Sequence, residues 1–266
     1  MKKCLVICIL LVGISCYGQA TKPFTFVQLC DIQLGMGGYD HDVKSFRQAV
    51  KQINALHPDF AVICGDLVNT PNDSSYADFK KIMKGFSMPC YCIPGNHDVG
   101  NIPDNASLKY YRTTIGKDYY SFTRNGYSFI AINTQLWKVN VENESHKFDA
   151  WFNETLRSFG NKHLPIIVLG HIPMYRTDPE EKEVYSNLPQ DKREEVLELL
   201  KQNNVLLYLS GHSHTLIINN YKGIQLVSGE TTSKNFDKRP LGFRLWKVSS
   251  DSIRHQFIQL ETNFDE

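Results

Sequence analysis

The sequence predicts a single α/β domain built on mixed sheets. Three observations lead there. Short apolar runs of strand type alternate with amphipathic helical segments along the chain. A two-residue hairpin signal interrupts that alternation, so the sheets cannot be purely parallel. No internal repeat, low-complexity tract or Pro/Gly/Ser-rich linker divides the 266 residues. The hydrophobic fraction of 42% and charged fraction of 21% are those of a globular chain with a core, which excludes collagen, coiled coil and wholesale disorder.

The elements follow in order. Residues 24–30 (FTFVQLC) read as a buried strand. Val43, Phe46, Val50 and Ile53 recur at helical spacing, and the helix ends before Pro58. Residues 60–64 (FAVIC) form a second buried strand, 76–83 a helix and 89–93 a third strand. Asn125-Gly126 joins two strands of a hairpin. A helix over 146–159 precedes a strand over 165–169, and a helix over 193–203 precedes a strand over 205–209. The remainder is strand-rich, with turns expected at Asn219-Asn220 and at 249–251.

Residues 1–20 read as a secretory signal rather than structure. Lys2 and Lys3 form a basic start, 5–14 (LVICILLVGI) is too short an apolar run to span a bilayer comfortably, and Gly18-Gln19-Ala20 offers small residues for cleavage. A buried helix is the alternative, disfavoured by position and flanks. Lipid attachment at Cys16 is another, with Gly13 standing where a bulky aliphatic is usual. The domain is then 21–266, exported, to the periplasm or outside the cell. No later stretch is apolar enough to cross a membrane. The 29 Lys+Arg and 28 Asp+Glu give a net charge of +1, and loss of Lys2 and Lys3 leaves 27 against 28. Such balance argues against a nucleic-acid partner. Cys30, Cys64, Cys90 and Cys92 lie in apolar strand runs and read as free buried thiols rather than disulfides.

Polar residues gather where strands end. The clusters are Asp31-Ile32-Gln33, Gly65-Asp66, Gly95-Asn96-His97-Asp98, Gly170-His171 and Gly211-His212-Ser213-His214. Ligands of open α/β sheets bind outside the carboxyl ends of the strands, so all five clusters fall on one edge. Asp, Asn, Gln and His together suit divalent metals. Each piece alone is weak: an Asp after a strand is usually a turn or cap residue and a lone Gly-His a capped or core histidine, while Gly95-Asn96-His97-Asp98 is more specific; their joint, ordered occurrence is the signal. Four of the 9 histidines fall in these clusters, and His41, His57, His146, His163 and His255 read as surface or packing residues.

This ordered series resembles the calcineurin-like metallophosphoesterases over about residues 24–230. The resemblance implies a four-layer α/β/β/α sandwich carrying two divalent metal ions (Mn, Fe, Zn or Mg). By position, Asp66 would bridge both; Asp31, Gln33 and His214 would complete the first site; Asn96, His171 and His212 the second. His97 would contact phosphate and protonate the leaving group, with Asp98 orienting it. A hydroxide between two cations would then attack phosphorus without a Ser or Cys nucleophile. One departure is Gln33, where the family usually has His. A neutral amide oxygen is the weaker, harder ligand and shifts preference away from zinc. The same departure is found in a branch similar to single-domain phosphoprotein phosphatases. Expected substrates are phosphomonoesters, as small molecules or phosphoproteins. The alternatives are a phosphodiesterase or nuclease of the same architecture, or a metal- and phosphate-binding protein without turnover. Substrate choice is expected in the loops at 39–42, 101–117, 134–145 and 173–189, with Arg112, Tyr175 and Arg176 as phosphate partners.

Overall fold

The computed structural model describes residues 22–261. The segment read as a signal, with Cys16, lies outside the described residues. The chain opens with β1 (Phe24–Leu29), α1 (Tyr39–Leu56), β2 (Phe60–Cys64), α2 (Asp73–Met83) and β3 (Cys90–Ile93). Two short helices follow, α3 (Asn96–Val99) and α4 (Asn105–Thr114), before the hairpin β4 (Tyr120–Arg124) and β5 (Tyr127–Ala131). Next come α5 (Gln135–Lys138), α6 (Glu144–Asn161), β6 (Ile166–Leu169), α7 (Gln190–Gln202) and β7 (Val205–Ser210). The chain finishes with β8 (Ile217–Tyr221), β9 (Ile224–Ser228), β10 (Gly242–Val248) and β11 (Ile253–Gln259).

Among the described residues the strands make two mixed sheets, ordered β11-β10-β1-β2-β3 and β4-β5-β6-β7-β9-β8. β1, β2 and β3 run parallel, as do β5, β6, β7 and β9. β10, β11, β4 and β8 pair antiparallel at the sheet flanks. Strand parity explains the layers. Phe24 and Phe26 of β1 and Phe60 and Val62 of β2 face Phe129, Ile167, Leu207 and Leu209 of the other sheet, with Trp246, in one buried cluster. The intervening Val27, Leu29, Ala61 and Ile63 belong instead to the cluster containing Phe46 and Ile53 of α1 and Phe79 of α2. Ile130, Ile166 and Val168 share that cluster with Phe148 and Phe152 of α6 and Leu197 of α7. Strands buried on both faces must be apolar throughout, which is why these runs do not alternate with polar residues. The result is the α/β/β/α sandwich.

The rings of Phe26 and Phe60 lie 5.2 Å apart and near parallel, with Trp246 stacked on Phe26 at 5.8 Å. Asn125 (φ 48°) and Gly126 (φ 83°) form the expected hairpin turn. The turn expected at Asn219-Asn220 lies elsewhere. Those residues are inside β8, and the chain reverses at Lys222 (φ 49°) and Gly223 (φ 95°). Asn220 contributes from the side, its Oδ1 accepting the Gly223 N–H at 3.0 Å. α4 escaped the periodicity reading because only Leu108 and Tyr111 of its ten residues are buried. Cys30, Cys64, Cys90 and Cys92 are free; the first two are buried and the last two half-buried on β3.

Candidate active site

The carboxyl ends of both parallel sets meet at one edge. Asp31 and Gln33 follow β1, Asp66 follows β2, and Asn96, His97 and Asp98 follow β3 and open α3. His171 follows β6, and His212 and His214 follow β7. The first sheet therefore supplies the acids and amides and the second the buried imidazoles. Asp31, Gln33, Asp66, His212 and His214 all have left-handed backbone, φ between 39° and 67°. Non-glycine residues hold that conformation only where the surroundings over-determine it, and such positions concentrate at functional sites. Gly65 (φ 81°) supplies a sharp turn, and a Cβ there would strike the His171 ring; Gly95 has ordinary φ, but a Cβ there would strike Asp66 Oδ1.

Two groups of potential ligands share one carboxylate. Asp66, His171 and His212 form one, and Asp31, Asp66 and His214 the other; within each group the ligand atoms lie within 4.8 Å of one another. All five are buried. Hydrogen bonds select which ring nitrogen faces inward. His171 Nδ1 meets the Cys64 carbonyl at 2.8 Å, leaving Nε2 3.4 Å from Asp66 Oδ1. His214 Nδ1 meets the Lys234 carbonyl at 2.5 Å, leaving Nε2 3.6 Å from Asp31 Oδ1. His212 is reversed: its Nε2 meets the Tyr185 carbonyl at 3.1 Å, leaving Nδ1. A carbonyl that holds one nitrogen as N–H fixes the tautomer that a metal needs on the other.

The amides complete the set. Asn96 Oδ1 lies 3.1 Å from His171 Nε2. Gln33 donates from Nε2 to Asn69 Oδ1 at 3.2 Å, while its buried Oε1 has no hydrogen-bond partner. A buried carbonyl oxygen without a donor costs about 1–3 kcal/mol. A cation would satisfy it. The donor set of carboxylate, amide oxygen and imidazole, with that orphaned oxygen, fits a divalent metal centre.

The same residues set one another's charges. Burial opposes the Asp66 charge, but His171, His97 and His212 hold its carboxyl well below the usual range. His171 is opposed by burial yet raised to about 10 by Asp66 and Asp31. Burial, with His171 nearby, takes His212 down to about 3, so it is a neutral imidazole. For Asp31, burial prevails over His214 and raises the carboxyl.

His97 differs from the ligands in being half-buried. Its N–H donates to Asp66 Oδ1 at 2.9 Å, and its Nδ1 meets the Asn69 carbonyl at 2.9 Å. The expectation that Asp98 orients this ring is corrected. The Asp98 carboxylate accepts the N–H groups of Leu67 at 3.1 Å, Val68 at 3.4 Å and Gly95 at 2.8 Å, joining the loops after β2 and β3. Neighbours in a helical turn do not face each other. Arg112, expected to meet phosphate, instead pairs with acids: its Nε and Nη2 donate to Asp118 at 2.7 and 2.9 Å, and Nη2 also meets Glu144 at 2.7 Å. Tyr175 is buried in the core, and Arg176 is exposed. Sequence reasoning missed Asn69, Asn101 and Tyr185, which hold Gln33, His97, Asn96 and His212.

An α/β/β/α sandwich with this donor set at its strand edge defines a hydrolase of phosphate esters that fits metal ions. Residues 24–216 match the model of the calcineurin-like phosphoesterase family, and the chain belongs to it. It is 27% identical over 265 residues to the serine/threonine-protein phosphatase CPPED1 of Homo sapiens, spanning 90% of this chain and 84% of that one. It is 25% identical over 264 residues to the 3',5'-cyclic adenosine monophosphate phosphodiesterase CpdA of Haemophilus influenzae, spanning 91% and 89%. A solved dimetal phosphatase from Danio rerio superposes with a TM-score of 0.70 at 14% identity, over 88% of this chain and 95% of that one, and at that identity shows the shared fold. Among the described residues no helix is long and apolar enough to cross a membrane.

Proposed function

We propose that this chain is a dinuclear metal-dependent phosphomonoesterase, exported under the direction of residues 1–20. The observation that carries the two-metal reading is the membership of Asp66 in both ligand groups. Asp31, Gln33, Asp66 and His214 would hold one cation, and Asp66, Asn96, His171 and His212 the other. When bound, two such cations would neutralise phosphate charge and acidify a water for in-line attack. The chain's own residues do the rest. Carbonyls of Cys64, Tyr185 and Lys234 keep each imidazole in its ligating tautomer. The Asn69 carbonyl holds His97 Nδ1, so Nε2 is the atom that carries the proton to the departing alkoxide. Gln33 offers oxygen instead of imidazole nitrogen, which favours manganese, iron or magnesium over zinc.

Similarity to CPPED1 supports monoesters, including phosphoserine and phosphothreonine; similarity to CpdA favours diesters as the second reading. Hydrolysis of a nitrophenyl phosphomonoester and the matching diester separates them. Chelator-stripped protein is resupplied with Mn²⁺, Fe²⁺, Zn²⁺ or Mg²⁺. The monoester is expected to turn over faster, best with Mn²⁺ or Fe²⁺. Asp66→Asn is expected to abolish turnover, and His97→Ala to lower it about 10²-fold or more. A faster diester establishes the second reading, and no turnover with any metal overturns both.

A further inference from the structure

Tyr185 lies on the strap of residues 173–189 between β6 and α7, and the residue is 60% exposed. An aromatic side chain this exposed gains little from burial, so packing does not explain its placement. Its polar contacts do. The Asn96 amide has two N–H donors. One goes to Asn101 Oδ1 at 3.0 Å and the other to the Tyr185 hydroxyl oxygen at 2.8 Å. The hydroxyl donates in turn to Asn101 Oδ1 at 3.3 Å. With both donors engaged on one side, the amide oxygen is committed to the side of His171 Nε2, 3.1 Å away. A flipped amide would break both bonds and turn the oxygen away from the centre.

The same residue fixes a second ligand. The Tyr185 carbonyl accepts from His212 Nε2 at 3.1 Å, and the Tyr185 ring lies 4.8 Å from the His212 ring. Tyr185 thus reaches two of the three residues that complete the second cation site, and among the described residues its hydrogen bonds go to Asn96, Asn101 and His212 and not to Asp31, Gln33 or His214. The strap carrying it is itself clamped. Lys138 donates to Glu183 Oε1 at 2.9 Å and to the carbonyls of Val184 and Asn187 at 2.8 Å, and buried Arg193 donates to the Glu181 carbonyl. That clamp sets Tyr185 in place.

We propose that Tyr185 is a positioning residue for the second cation alone: its hydroxyl locks Asn96 with the oxygen inward, and its carbonyl locks the tautomer of His212. The inference rests on the two-cation reading above. Tyr185→Phe tests it, because the ring and the backbone carbonyl remain and only the hydroxyl is lost from an exposed rim.

The measurement is calorimetric titration of chelator-stripped full-length protein with Mn²⁺, with electron paramagnetic resonance of the same samples to separate isolated from coupled ions. Wild type is expected to take up two Mn²⁺. Tyr185→Phe should bind the first as wild type does and the second about 10-fold or more weakly, the usual effect of removing a residue that orients a ligand. The Mn²⁺ concentration for half-maximal hydrolysis should rise by the same factor, with kcat at saturating Mn²⁺ unchanged. Val184→Ala, next to it on the strap, should leave both sites as in wild type. Identical isotherms for Tyr185→Phe and wild type overturn the inference while leaving the two-cation reading intact. Equal weakening of both sites also overturns it. Uptake of fewer than two Mn²⁺ by wild type overturns the two-cation reading, and this inference with it.

Discussion

Asp98 shows how a buried acid beside a reactive histidine can be structural. Three backbone N–H groups converge on its carboxylate, from Leu67, Val68 and Gly95, and it is 1% exposed. Asp98→Asn puts an NH2 group where an acceptor stood, leaving a buried N–H unmatched at a cost of about 2–3 kcal/mol. At about 2–4 °C per kcal/mol for a chain of this size, Tm should fall by roughly 4–12 °C. Turnover measured well below that Tm should fall less than about 10-fold, below the range for loss of an acid–base group. A 10²-fold loss at unchanged Tm would instead make Asp98 part of the proton-transfer apparatus. The residues gathered at the edge were legible in the sequence because each is a polar side chain directly after an apolar run. Their supports were not. Cys64, Lys234 and Asn69 act on the histidines through backbone carbonyls, which every residue type possesses. Asp98 was misjudged because adjacency in sequence was read as contact in space.

The strap between β6 and α7 is an element without periodicity, held by side chains instead of a ladder. Glu181 is its knot. Its carboxylate accepts from the N–H groups of Arg176 at 2.7 Å, Thr177 at 2.9 Å and Asp178 at 3.3 Å, and from Asn187 Nδ2 at 2.7 Å. Partial burial works against the charge, but these donors bring the carboxyl down from 4.5 to about 2. A group whose folded value is depressed stabilises fully above its unfolded value and loses that contribution as pH falls toward the folded one. Relative to Glu181→Gln, wild type should therefore be more stable above pH 4.5, by about 1 kcal/mol once solvent screening of this largely exposed carboxylate is allowed for, with the gap closing from there toward about pH 2. Denaturant unfolding of both proteins across pH 6 to 3 reads that gap, and a gap that does not change with pH would sink the assignment. Regular elements were easier to foresee. β1, β2 and β7 announce themselves as apolar runs because helices and a second sheet cover both faces. The strap and α4 carry too few buried positions to show a period, and the β8–β9 turn was displaced because Asn220 serves it from a side chain, two residues ahead of the reversing pair.

At the scale of the molecule, the candidate centre straddles the seam between two sheets. Asp31, Gln33, Asp66 and Asn96 come from the sheet of β1, β2 and β3, while His171, His212 and His214 come from that of β6 and β7. Away from the seam the sheets are joined by apolar and aromatic packing around Phe26, Phe60, Phe129 and Trp246. At the seam the protein-only contacts set carboxylates against histidines, such as the His212 N–H on Asp31 at 2.9 Å. Bound cations should therefore staple the sheets together. A ligand at 100 times its Kd stabilises the folded state by about 2.7 kcal/mol, or roughly 5–11 °C in Tm for a chain of this size. Scanning calorimetry of stripped protein with and without Mn²⁺ should show such a rise, and Asp66→Asn should remove most of it by taking a ligand from both groups. Phe26→Ala supplies the contrast. Its ring is fully buried between the sheets, so truncation should cost about 3–5 kcal/mol in the absence of metal. The Mn²⁺ increment should survive that loss, because distant sites with no shared partners contribute additively. An increment equal in wild type and Asp66→Asn would place the stabilising ion elsewhere. An increment abolished by Phe26→Ala would mean that the packing between the sheets, and not the ligands at their edge, determines whether the centre can form.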